Sequence, residues 1–216
     1  MEIMEGTFRE DYGIGIVLFD FGGVLAEEGF REGLQAIARL NNLDEESFVR
    51  TANNAIHACG YVVGKAPEST YWDVLRETTG IRGDDLLLRN EILSRFILRE
   101  WMLDIIKKLR DACIRVGILS DQTNWLDELN ARYGFFMWFD YVFNSYHMGK
   151  SKKEPTHFEN VVHILGIEAQ KVLFIDDNLG NCERAAQKGL KVIHYTGKDR
   201  FMEEFGKYFP AIAGVL

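Results

Sequence analysis

The chain has 216 residues, 47% of them hydrophobic and 27% charged, with three prolines and a formal net charge of -8. This length suits one large domain or a core with a smaller insert, and the composition leaves little room for a disordered region. The acidic balance argues against a general nucleic-acid or anionic-membrane binder, while leaving room for a local positive site that takes a phosphorylated small molecule.

Residues 1–13 are acidic and lack an apolar run, so they read as a short, partly disordered lead-in and not as a secretory signal. Gly13 and Gly15 form a GxG fragment, but they precede a strand, and a dinucleotide fingerprint needs its glycines after one. The stretch IGIVLFDFGGVL, residues 14–25, reads as a strand buried on both faces that ends on Asp20. Gly22 and Gly23 then allow a sharp turn and a close approach to a ligand. In open α/β sheets ligands bind beyond the carboxyl ends of the strands, where a catalytic Asp belongs; a capping role for Asp20 is the plainer alternative.

From residue 27 to 99 the strand signals vanish. Helical spacing over 33–40, acidic residues at 44–46 ahead of Phe48 and Val49, a run through Tyr71, Trp72 and Leu75 stopped by Gly80, and a run over 86–98 capped by Asp84 or Asp85 predict a small helical bundle. From Trp101 helix and strand signals alternate. Strands are expected over 114–119, 141–143, 171–175 and 191–195, and helices near 101–109, 125–132, 158–165 and 182–188. Such repetition predicts an α/β fold with a Rossmann-like, doubly wound parallel sheet. The expected domains are an α/β core over 1–26 and 100–216 and a helical insert over 27–99.

Cys59, Cys113 and Cys182 are widely separated and lack CxxC spacing, which argues for free thiols in a reducing compartment, most simply the cytoplasm. No uninterrupted apolar run approaches a membrane span.

Several strands finish on polar residues: Asp20 on the first, Ser120 and Asp121 on the second, Asp176 and Asp177 on the fourth. Lys152 lies in the polar loop GKSKKEP ahead of the fourth strand. Together these supply carboxylates for a hard cation such as Mg²⁺, a hydroxyl, and an ammonium that can face anionic oxygens. A carboxylate in such company can serve as a nucleophile and divide a hydrolysis into two steps.

The pattern resembles the haloacid-dehalogenase superfamily, chiefly its capped phosphatases, over nearly the whole chain. FDFGGVL is similar to the nucleophile motif, ILSD to the second motif, GKSKKEPTHF to the lysine motif, and FIDDNLGN followed by AAQKGLKVI to the acidic motif with its helix and strand. The resemblance implies that Asp20 is the nucleophile, that Ser120 binds phosphoryl oxygens and that Lys152 holds both. Lys150 and Lys153 are nearby competitors for that last role. It also implies substrate contacts from Phe21, Gly22 and Asp121. Mg²⁺ would be bound by Asp20, the Gly22 carbonyl and Asp176, with Asp177 in or just behind that set and Asn181 orienting the loop. The helical insert would be a mobile cap that selects a small phosphomonoester, for example a sugar phosphate, in a monomer or homodimer.

One departure stands out. The family's phosphatases commonly carry a second Asp two residues after the nucleophile as proton donor, and here that position is Gly22. General acid–base help is worth roughly 10²–10⁴-fold, so its loss bears on the chemistry. His57, Glu27 and Glu28 are candidate stand-ins. Dehalogenase-like cleavage, phosphonoacetaldehyde-hydrolase-like cleavage through a Schiff base on Lys65, and a non-catalytic binding role are the alternatives. Tyr71 and Trp72 are expected to pack the insert against the core.

Overall fold

The computed structural model describes residues 12–214, so the lead-in expected over 1–13 falls almost wholly outside the described residues. Its centre is a five-stranded sheet. In chain order the strands are β1 (Ile16–Phe19), β2 (Arg115–Ser120), β3 (Tyr141–Asn144), β4 (Val172–Asp176) and β5 (Lys191–His194). They lie in the order β3-β2-β1-β4-β5, and every pairing is parallel.

Every residue of β1 is buried. Val17 and Phe19 join the larger apolar cluster, while Ile16 and Leu18 face a second one with Phe158, Val161 and Leu165. Alternate side chains of a strand point to opposite faces, so burial on both sides is what makes this run continuously apolar. Phe19 pairs with Ile175 of β4, which sets Asp20 level with Asp176 one residue beyond. Phe19 also pairs with Ile118, which brings the end of β2 to the same sheet edge.

Helices α1 (Gly29–Leu40), α2 (Glu45–Ala58), α3 (Glu68–Thr79) and α4 (Asp85–Leu93) come between β1 and α5 (Glu100–Asp111). Asp44 and Asp84 accept hydrogen bonds from Ser47 N–H (2.8 Å) and Leu87 N–H (2.9 Å), satisfying otherwise unpaired donors at the starts of α2 and α4. α1 packs on α2 and α4, and a β-carbon at Gly33 would overlap Ile92, so that glycine sets how closely α1 approaches α4.

The helix expected over 86–98 stops at Leu93. The residues after it run back beside the segment that leaves β1: Glu27 N–H donates to Ile97 O (2.9 Å) and Arg99 N–H to Leu25 O (2.9 Å). Phe96 is buried against Phe21, with ring centroids 5.5 Å apart, so its apolarity reflects this connection and not a helix face.

The remaining α-helices among the described residues are α6 (Trp125–Tyr133), α7 (Ser145–Met148), α8 (Pro155–Leu165), α9 (Leu179–Gln187), α10 (Lys198–Tyr208) and α11 (Pro210–Ala213). Helices α10 and α11 lie beyond the last strand expected from the sequence. Phe201, Phe205 and Phe209 recur every four residues and bury one helical stripe beside α5 and β5. Among the described residues, no helix is long and apolar enough to cross a membrane.

Candidate active site

Asp20 leaves the carboxyl end of β1 with only 8% of its surface exposed. Its Oδ1 accepts hydrogen bonds from Phe21 N–H (2.7 Å) and Ser120 Oγ (2.7 Å). Its Oδ2 lies 2.6 Å from Lys152 Nζ, which lies 2.6 Å from Asp176 Oδ2 on the far side. Lys152 is 1% exposed, and its backbone is fixed at both ends: its N–H donates to Asp121 Oδ1 (2.9 Å), and its carbonyl accepts from Arg184 Nε (2.8 Å). Thus β1, β2, β4 and the lysine loop converge on one point.

The electrostatics follow from this crowding. Burial alone would lower the Lys152 ammonium, but Asp176, Asp20 and Asp121 together hold it well above the ordinary lysine value. Burial pushes the Asp20 carboxyl well above its usual range, Lys152 opposes that push, and Asp176 and Asp177 add to it. The site therefore carries more negative charge than one lysine balances. Asp20, Asp176 and Asp177 offer carboxylate oxygens within 4.8 Å of one another, a donor set that can hold a metal ion and suits a hard divalent one.

The two neighbouring acids are not equivalent. Asp176 is fully buried and accepts from Lys152, from Asn178 N–H (2.7 Å) and from Asn181 Nδ2 (3.0 and 3.2 Å). Asp177 faces a cavity of about 480 Å³ that is also lined by Asp20, Ser120, Asp121 and Lys152. Gly23, at φ +77°, passes so close to Asp177 that a β-carbon there would overlap its carboxylate. Glycine adopts that backbone region without steric cost, which is why the turn can approach the acid.

The haloacid dehalogenase-like hydrolase family model matches residues 14–189. The chain belongs to this family. It is similar to a haloacid dehalogenase family enzyme from Bacteroides thetaiotaomicron at 26% identity, over 89% of this chain and 98% of that one, with a TM-score of 0.72. Another structure of that enzyme is a complex with magnesium and inorganic phosphate, matching at 24% identity over 86% and 94% of the two chains, with a TM-score of 0.69. The L-2-haloacid dehalogenase from Xanthobacter autotrophicus shares the fold at 21% identity, over 89% and 82%, with a TM-score of 0.62. No curated protein matches this chain.

In this hydrolase the structure separates residues that sequence alone left together. Lys152 is the lysine between the carboxylates, whereas Lys150 Nζ donates to Thr156 Oγ1 (3.3 Å) and Lys153 is exposed at the cavity edge. The Phe21 ring is buried between Phe96 and Phe135, so only its backbone faces Asp20. Gly22 lines the cavity. Glu27 is turned away into an ion pair with Arg99 (2.7 Å), whose guanidinium holds its carboxyl below the usual range. His57 lines the cavity, but burial, with Lys153 adding to it, pushes its imidazole down to about 4. Glu28 lines the cavity as well, and burial pushes its carboxyl up to about 7. Lys65 is exposed and does not line the cavity.

Arg184 escaped the sequence reading. Besides supporting Lys152 it donates from Nη2 to Asn181 Oδ1 (2.5 Å), so it ties the lysine loop to the acidic loop. The signal was its spacing of three residues from Asn181, which places both on one face of α9.

Proposed function

We propose that this hydrolase cleaves a small phosphomonoester, for example a sugar phosphate, with Asp20 as nucleophile. The observation that carries the reading is the grip on Asp20: one carboxylate oxygen faces Ser120 Oγ and Phe21 N–H, the other faces a buried Lys152 shared with Asp176. Such a grip aims the carboxylate and places positive charge where phosphoryl oxygens gain negative charge.

In the first step Asp20 attacks phosphorus, the bond to the leaving alcohol breaks, and an aspartyl-phosphate remains. In the second, water attacks that phosphorus, releases phosphate and restores Asp20. Ser120 and Lys152 hold the phosphoryl oxygens throughout. Mg²⁺ suits the acidic cluster, where Asp20, Asp177 and the Gly22 carbonyl would hold it, and when bound it would neutralise charge on phosphate and carboxylate. The bonds Asp176 already makes to Lys152, Asn178 and Asn181 favour Asp177 as the direct ligand, the reverse of the order implied by sequence.

Residues 27–99 act in this reading as the cap over a core of residues 1–26 and 100–216, lending Phe30, Asn53, Ile56 and His57 to the cavity wall. The free thiols of Cys59, Cys113 and Cys182 suit a cytoplasmic enzyme, and a phosphorylated metabolite is its partner. Dehalogenation would leave the acidic cluster without a task, and the exposed position of Lys65 argues against a Schiff base.

The test is phosphate release from p-nitrophenyl phosphate, with and without Mg²⁺. Wild type is expected to turn over only with Mg²⁺, and Asp20→Asn to lose at least about 10³-fold, since a covalent route has no substitute for its nucleophile. Equal rates for the two proteins would remove Asp20 from the role.

A further inference from the structure

Breaking a phosphate ester of an alcohol requires a proton for the departing oxygen, and the next step requires a base for the attacking water. Glu28 stands at the start of α1, where its Oε1 accepts a hydrogen bond from Arg31 N–H (3.2 Å). The other oxygen points back to the nucleophile loop: a β-carbon placed on Gly22 would lie 3.0 Å from Glu28 Oε2. A carboxyl from another segment therefore occupies the space that a side chain on residue 22 would enter. Gly22 and Glu28 line the same cavity as Asp20. Glu27 is engaged with Arg99, and the imidazole of His57 sits too low to carry a proton near neutrality.

We propose that Glu28 is the acid–base residue of this hydrolase, its carboxyl delivered from the start of the helical insert into the space left open by Gly22. The assignment rests on the phosphomonoester reading above. As Asp20 attacks phosphorus and the P–O bond breaks, Glu28 gives its proton to the departing oxygen, releasing a neutral alcohol and leaving a carboxylate. That carboxylate then takes a proton from water as the water oxygen attacks the aspartyl-phosphate. Phosphate departs and both residues return to their starting states.

The position has a further consequence. The proton donor belongs to the insert and the nucleophile to the sheet, so the two meet only when α1 is seated on the loop that follows β1. Phe96 helps to fix that seating, because a β-carbon on Gly29 would overlap its ring.

The test compares esters whose leaving groups need a proton to different degrees. Glu28→Gln keeps the size of the side chain and an oxygen for Arg31 N–H. With glycerol phosphate, an alkyl ester, its kcat is expected to fall about 10²–10⁴-fold. With p-nitrophenyl phosphate, whose phenolate leaves unaided, it should retain a rapid burst of nitrophenol near one equivalent, followed by slow turnover as the aspartyl-phosphate accumulates. A double variant, Glu28→Ala with Gly22→Asp, returns a carboxyl to the same space. Gly22 lies outside the left-handed region, so Asp fits its backbone, and Phe96 Cε1 at 3.3 Å must yield slightly. This variant is expected to recover at least tenfold over Glu28→Ala on the alkyl ester. Unchanged alkyl-to-aryl rate ratios in Glu28→Gln, in a protein whose melting matches wild type, would overturn Glu28 alone. A wild type inert toward both esters would overturn the phosphatase reading and this assignment with it.

Discussion

Lys152 is the residue on which the site's charge balance turns. Its ammonium is shared by Asp20 and Asp176, both at 2.6 Å, and it is almost wholly removed from water. Removing one partner of a buried ion pair strands the other, at a cost of about 3–5 kcal/mol. Lys152→Met is therefore expected to lose about that much stability in urea denaturation at pH 8, along with activity. The loss should shrink at pH 5. Burial already holds the Asp20 carboxyl above its usual range and Lys152 opposes that push, so without Lys152 the folded variant binds a proton more readily than the unfolded chain, and its stability falls as pH rises. A loss equal at both pH values would show that Lys152 acts through packing and not through charge. At this scale the sequence pointed to Asp20, Ser120 and Asp176 through their places at strand ends, and to Lys152 through the polar loop ahead of the fourth strand. It could not choose between Glu27 and Glu28. One carboxylate meets Arg99, far along the chain, and the other meets Gly22, and neither encounter leaves a local pattern.

Among elements, α3 is tied to α4 and α6 through one carboxylate. Glu68 accepts from Trp72 Nε1 (2.8 Å) on its own helix, from Arg89 Nη1 (3.1 Å) on α4 and from Trp125 Nε1 (3.1 Å) on α6. Tyr61 adds a bond from its hydroxyl to Asn124 Oδ1 (2.6 Å), and Ser145 Oγ donates to Val62 O (2.8 Å). Glu68→Ala leaves buried indole donors without an acceptor, a penalty of about 1–3 kcal/mol, to be measured by chemical denaturation. An unchanged midpoint would mean that water replaces the carboxylate. The packing of Tyr71 and Trp72 beneath this network was legible as apolar periodicity, with ring centroids of Trp72 and Trp125 now 6.0 Å apart. The end of α4 was not. Phe96 and Leu98 look like a continuing apolar stripe until the pairing of residues 25–27 with 97–99 is seen.

For the whole molecule, a cluster of three carboxylates around one lysine is an unfavourable arrangement that a bound cation relieves. On the proposed function Mg²⁺ binds the folded chain and not the unfolded one, so it is expected to raise the melting temperature. The stabilisation grows with concentration to about 2.7 kcal/mol at a hundred times its dissociation constant. Chelation should reverse the shift, and Asp177→Asn should abolish most of it while leaving the fold intact. A full shift in that variant would return the direct metal contact to Asp176.

The parallel sheet, the helical segment after β1 and the polar strand ends were all legible in the sequence. Burial on both faces of a strand and on one face of a helix imposes periodicities that local residues must obey. Which lysine lies between the carboxylates, which acid faces the cavity and which glutamate fills the space beside Gly22 emerge only in the folded chain. The lysine and the acid depend on distances between segments remote in the chain and the glutamate on the path of the loop between β1 and α1, and no local periodicity encodes them.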